Sequence, residues 1–106
     1  MSDAAGKPSS FGDVALVGDG HLVAVHGEVV ALPEPELQLV ASLVRAQGRA
    51  VRRTVLEMKA WGIWQTVSPD VLGRAIQRLR AELATLGSNV RISGTPELGF
   101  ALSRAA

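Results

Sequence analysis

The stretch SPDVLGRAIQRLRAEL, residues 68–83, places Arg74, Gln77 and Arg78 on one side of any helix it forms and Arg80 well away from them. An arginine fork donates paired hydrogen bonds to a carboxylate, a phosphate or a guanine edge, and a glutamine amide pairs similarly with an adenine edge. The plain alternative is an amphipathic helix whose charged side meets only water. Asp70 and Arg74, four residues apart, would then form an ordinary surface pair contributing a few tenths of a kcal/mol.

Charge distribution bears on the choice. The formal net charge is only +1, yet residues 1–50 carry six acidic side chains against three basic ones, while residues 51–106 carry eight basic against four acidic. A basic second half is what a polyanion-binding face needs, although a modest excess also arises by chance. Other chemistry has little support. His21 and His26 flank one β run without a third ligand at useful spacing, so no metal is expected. No glycine-rich phosphate loop follows a strand and no G-x-S-x-G occurs, so neither a cofactor nor an enzymatic reaction is expected.

At 106 residues, 47% of them hydrophobic, the chain has the size of one ordinary domain with one modest core. It has no cysteine, which excludes disulfides and thiolate metal sites. The opening MSDAAGKPSS is small and polar, unlike a signal peptide, and no run of about 18 apolar residues suggests a membrane span. Residues 1–12 are therefore expected to be a flexible leader and residues 13–104 the folded domain.

Three short β runs are predicted in DVALVGDGHLVAVHGEVVAL, broken at Gly18-Asp19-Gly20 and at Gly27, which supply the positive φ of tight reversals. A first helix starts at residues 34–36, behind Pro33, with Leu37, Val40, Leu43 and Val44 inward. It stops at Gly48, the residue expected to take the left-handed conformation. A brief RAV can pair as another strand. RRTVLEMKAWG predicts a second helix with Val55, Leu56 and Trp61 inward, followed by a loop, GIWQTV. In the third helix Ser68 is the expected cap, Pro69 suits the first position and Asp70 complements the helix N-terminus. Its core side is Leu72, Ile76, Leu79, Leu83 and Leu86; Asp70, Arg74, Gln77, Arg78 and Ala81 lie opposite. NVRISGT and GFALSR, joined by PEL, predict a terminal hairpin.

The expected class is therefore α+β, a winged helix-turn-helix with an N-terminal antiparallel sheet, three helices and a C-terminal β-hairpin wing. The residues in this order also resemble the OmpR/PhoB-type winged helix, the effector half of many bacterial response regulators. Leu32, Glu36, Leu39 and Leu43, then Arg53, Leu56, Trp61 and Gly62, then Ile76, Leu79 and Arg80, then Gly99 and Phe100 occupy that family's pattern. The register holds without gaps from 32 to 80, and the resemblance covers about residues 13–104.

The resemblance implies a bacterial sequence-specific DNA-binding transcription regulator of the cytoplasm and nucleoid. Its third helix, about 68–86, would enter the major groove, and its wing, about 89–104, the adjacent minor groove. Arg74, Gln77 and Arg78 are then the base-reading candidates, and Gly73 lets the backbone approach closely. Arg52, Arg53, Trp61, Arg91 and Thr95 are candidates for backbone or wing contacts. Arg80, about 100° or more off the groove face by helical phase, is assigned to a structural pair or a flank. Ile63, Trp64 and Gln65 form a partner loop, with RNA polymerase or another transcription factor as occupant, and a homodimer on DNA is one arrangement. The alternative is a winged helix that serves as a protein-interaction module with weak or no specific DNA binding. Departures from the family point that way: Asp70 stands where many members have a phosphate-binding arginine, Pro96 and Glu97 replace a basic wing tip, and Pro33 replaces the threonine that begins the first helix. With no room for a receiver domain in 106 residues, the chain either works alone or is a fragment, and the MSDAAG start favours a stand-alone protein.

Overall fold

A computed structural model describes residues 9–18, 20–62 and 67–105. It opens with an antiparallel sheet of β1 (Ser10–Phe11), β2 (Val14–Val17), β3 (Leu22–Val25) and β4 (Glu28–Val30), hydrogen-bonded in that order. Four strands stand where three are predicted, because Ser10 and Phe11, assigned to the leader, pair with Ala15 and Val14. The β3–β4 reversal is a two-residue turn in which His26 and Gly27 both take positive φ, 54° and 84°, between the paired Val25 and Glu28. Val14, Val23 and Val25 point into the core.

Three helices follow: α1 (Glu34–Ala46), α2 (Arg53–Trp61) and α3 (Pro69–Thr85). Pro33 precedes α1 and offers no side-chain cap, while Glu34 and Glu36 supply negative charge to its first turn. The left-handed cap is Gln47, φ 53°, one residue before the predicted Gly48, which also has positive φ. The Gln47 side-chain amide donates to the carbonyls of Val44 and Ser10, so the same residue that ends α1 ties it to β1. In α2 Leu56 is fully buried, but Val55, predicted inward, is 36% exposed. A helix of nine residues has room for one fully buried apolar position here. Ser68 sits at the N-cap of α3 without capping it; its hydroxyl donates to the Asp70 carboxylate at 2.7 Å instead.

The chain ends in the hairpin of β5 (Val90–Thr95) and β6 (Gly99–Arg104). Val51, from the predicted RAV strand, adds a one-residue bridge to Phe100 through reciprocal bonds of 2.7 and 3.0 Å. One core unites these pieces: Leu39, Leu43 and Val44 of α1, Leu56 of α2, Leu72, Ala75 and Ile76 of α3, and Val90 of β5 are all at most 1% exposed. Among the described residues no helix is long and apolar enough to cross a membrane.

Two local arrangements hold the sheet and the hairpin to that core. Asp13 accepts from Ser88 Oγ at 2.6 Å, the Asn89 amide at 3.0 Å and His26 Nδ1 at 3.3 Å, fastening the turn after β1 to the segment after α3. Partial burial raises its pKa, but the bonds from Ser88, Asn89 and His26 outweigh that and hold the carboxyl below the ordinary aspartate range. In the hairpin, a β-carbon at Gly94 would lie 2.0 Å from the Gly99 carbonyl oxygen, and one at Gly99 would lie 2.7 Å from that of Val51. Both glycines also have positive φ, 115° and 91°. Backbone therefore meets backbone beside the wing turn, where no side chain fits.

Two outcomes follow. Gly94→Ala should lower the unfolding free energy in urea by roughly 1–3 kcal/mol, as overpacking against backbone does. Because the Asp13 pKa is depressed on folding, its stabilisation is present above the unfolded value of about 3.9 and is lost as pH falls through the folded value. Asp13→Asn should therefore melt earlier than the natural protein at pH 7, and the gap should close on acidification below about pH 4. A gap that stays constant from pH 7 to pH 3 would show that the carboxylate charge contributes nothing.

Candidate nucleic-acid interface

Helix α3 buries Leu72, Ala75, Ile76, Leu79 and Leu83, so its phase leaves Asp70, Arg74, Gln77, Arg78 and Ala81 exposed, as the spacing requires. Beside this face the wing stands off the helix and encloses an open cleft of about 680 Å³, walled by Gly73, Gln77 and Arg78 on one side and Thr95, Pro96 and Phe100 on the other. Gly73 is a glycine inside a helix of 17 residues, and a β-carbon there would meet nothing within 4 Å. Nothing in the described structure explains its lack of a side chain.

The three arginines of the helix are held differently. Arg74 Nη2 lies 3.2 Å from Asp70 Oδ2, with both side chains largely exposed, 72% and 64%, so water screens the pair and either partner is free to leave. The hydrogen bond from Ser68, then its own backbone amide, then Arg74 lower the Asp70 pKa against slight desolvation, so Asp70 stays ionised and only accepts. Arg78 Nε donates to Glu36 Oε2 at 2.5 Å; the arginine side chain is 61% exposed and the glutamate side chain 9%. Arg80 turns to the wing, where Nε donates to the Ile92 carbonyl at 2.9 Å, Nη2 approaches that of Gly94 at 3.4 Å, and the guanidinium lies 5.9 Å from the Phe100 ring centroid. Assigning Arg80 to a structural role from its helical phase agrees with this geometry.

The candidates for backbone contacts are held in different ways. Arg52 is exposed at the N-cap of α2, Arg53 pairs with Glu57 at 3.1 Å, and Trp61 is half-buried against the core. Arg91 Nη1 donates to the Ser88 carbonyl at 2.9 Å, at the foot of the wing. Thr95 closes the wing turn, its carbonyl and hydroxyl oxygens accepting from the Leu98 amide at 3.2 and 3.3 Å. The loop residues Ile63, Trp64 and Gln65 lie outside the described residues. Among the described residues no group of three or more His, Cys, Asp or Glu is gathered as a metal would need.

Sequence reasoning gave Glu36 a place in a pattern but no partner. The signal was there: Glu36 stands three, four and seven residues before Leu39, Val40 and Leu43, on the buried side of α1. A carboxylate in that position requires a cation or donors.

The profile of the family described as "Transcriptional regulatory protein, C terminal" matches residues 27–102, well over half of the chain. The chain belongs to this family, the OmpR/PhoB-type winged helix. Its relatives include the probable transcriptional regulatory protein y4xI of Sinorhizobium fredii, 30% identical over 92 residues, which cover 87% of this chain and 41% of that protein. The sensory transduction protein RegX3 of Mycobacterium tuberculosis is 29% identical over 86% of this chain and 40% of its own length. The chain thus spans about two fifths of these curated relatives. Among solved structures, the DNA-binding domain of the response regulator AdeR, in complex with an intercistronic region, superimposes with a TM-score of 0.78 at 14% identity, covering 91% of this chain and 99% of that one. The DNA-binding domain of Escherichia coli CadC gives 0.73 at 20% identity, covering 92% of each. At such identities the superpositions establish the fold alone.

Beyond the shared apolar core, Arg80 is a polar tie between helix and wing. Arg80→Ala removes two carbonyl partners and the contact with Phe100, and should lower the unfolding free energy by roughly 1–3 kcal/mol. Arg80→Lys should recover only part, because an ammonium cannot span both carbonyls as the planar fork does. Calorimetric melting of the two variants checks the order.

Proposed function

We propose that this domain is the sequence-specific DNA-binding part of a bacterial transcription regulator, with α3 in the major groove and the β5–β6 wing at the adjacent minor groove. The observation that carries this reading is the exposed side of α3. It presents Arg74, Gln77 and Arg78, side chains suited to guanine and adenine edges, around a glycine that leaves room for the helix backbone to come close. The solved AdeR domain of the same fold, in complex with an intercistronic region, supports it by analogy. Arg52, Arg53, Trp61, Arg91 and Thr95 are proposed as contacts to the DNA backbone or to the groove beneath the wing, and the cytoplasm and nucleoid as the place of action.

A second reading is favoured by the wing tip. Pro96, Glu97 and Leu98 form a turn with an acid and a leucine 77% exposed in place of cations. Such a tip suits a protein surface better than phosphate, so docking to RNA polymerase or another regulator through the wing and residues 63–65 is the alternative use of the same fold.

A salt series of binding to genomic fragments tests the first reading. The best fragment should bind at least about a thousandfold more tightly than random duplex at physiological salt. A difference within about tenfold would reject sequence-specific binding and leave the interaction module. Gly73→Ala gives a second test: it should raise thermal stability by up to about 1 kcal/mol, since alanine favours a helix interior, while weakening DNA binding. Unchanged DNA binding in that more stable variant would mean that α3 does not approach a groove at Gly73.

A further inference from the structure

Glu36 is a carboxylate on the core side of α1, its side chain 9% exposed, and among the described residues its hydrogen-bond partner is Arg78 of α3. The contact is made at one defined atom. Nε of the guanidinium, the end nearer the chain, donates to Glu36 Oε2, while the arginine side chain as a whole remains 61% exposed. A guanidinium carries five N–H donors in a planar fork and can grip a two-acceptor edge either side-on, through Nε and one Nη, or end-on, through both Nη atoms. With the single Nε–H directed at Glu36, the side-on grip is closed. The end-on pair remains, carried on the exposed part of the side chain.

Arg74 provides a control within the same helix. Its partner Asp70 is exposed, so nothing buried dictates how its fork is turned. A buried partner differs from an exposed one in two ways: the anion cannot easily rehydrate if the bond opens, and the rotamer it holds is therefore retained before any ligand arrives.

We propose that Glu36 is a positioning residue that presents Arg78 end-on to the O6 and N7 acceptors of a guanine, so that a carboxylate which never touches the DNA sets how strictly the base is read. This rests on the reading of α3 as a groove-reading helix. It also gives Arg78 a purpose distinct from neutralising phosphate, because the nearby carboxylate cancels much of its charge at longer range while leaving its donors in place.

The test compares the natural protein, Glu36→Gln, Arg78→Ala and the double variant on the best genomic fragment and on random duplex at one salt concentration, with circular dichroism reporting folding. Glu36→Gln should lower affinity for the best fragment by about tenfold, within the range of one bidentate base contact, and leave affinity for random duplex unchanged or raised. Arg78→Ala should cost less in the Glu36→Gln background than alone, because the two residues act as one unit. If the natural protein discriminates and Glu36→Gln keeps the same ratio of specific to random affinity, or if the two substitutions add, the positioning role is wrong and the DNA-binding reading stands. If the natural protein does not discriminate, both fall together. Should Glu36→Gln fail to fold, Glu36→Asp replaces it: the shorter carboxylate keeps the charge but should still lower the ratio, and an unchanged ratio overturns the proposal.

Discussion

The apolar side of α3 is the constraint on which the other features depend. Leu72, Ala75, Ile76 and Leu79 are each at most 2% exposed, and Leu83 is 8% exposed. Burying such side chains contributes about 1.5–3 kcal/mol each for the larger ones, so together they outweigh any single polar contact of the helix. The helix therefore cannot rotate about its axis to suit its arginines. Phase is set by the core, and each charged residue must find its partner wherever that phase leaves it. Arg74 is left facing water, Arg78 facing the first helix and Arg80 facing the wing.

From this one placement come three arginines of different worth. The exposed Asp70–Arg74 pair is screened and contributes at most a few tenths of a kcal/mol, so its disruption would be nearly silent in a melting experiment. The Arg78–Glu36 pair is asymmetric: its acid is buried and its base is not. Removing the arginine would strand a desolvated carboxylate, a loss of about 1–3 kcal/mol or more that has nothing to do with a ligand. Arg80 belongs to neither class. Its fork is directed at two alternate carbonyls of β5, which would otherwise present an unpaired strand edge, and a two-stranded hairpin is marginal without such support. Substituting any of these to alanine therefore measures a different mixture of folding and recognition.

Helical phase was legible in the sequence, and with it the core residues of α3, the exposed side and the off-face position of Arg80. So was the order of elements, because Asp-Gly and lone glycines break the β runs and prolines mark the starts of α1 and α3. What was not legible involves contacts between segments distant in the chain. Ser10–Phe11 is too short to declare itself as a strand and exists because β2 lies beside it. Val55 has the same side chain as many core residues, but α2 is short and touches the core chiefly at Leu56. Ser68 has the right chemistry for a cap, yet its hydroxyl prefers a charged acceptor two residues on. Glu36 and Arg78 are 42 positions apart, and only the packing of α1 against α3 brings them together.

The acidic residues near the candidate interface bear on how such a domain would divide its binding between affinity and discrimination. Each phosphate neutralised by a cation releases counterions and steepens the salt dependence by about one unit, whichever sequence is bound. In this protein Arg74 is accompanied by Asp70, Arg78 by Glu36 and Arg53 by Glu57, and the wing turn carries Glu97. On the proposed reading, these acids lessen the sequence-independent attraction and leave it to other cations such as Arg52 and Arg91. Donors aimed at base edges lose little by it, since a hydrogen bond at contact distance depends on local geometry, whereas attraction to the phosphate backbone depends on net charge over a Debye length of about 8 Å at physiological salt. A domain built this way would bind random DNA weakly and rely on a few well-directed side chains for whatever selectivity it has. The direction of Arg78, held by Glu36 of α1, then matters more than the number of cations on the face.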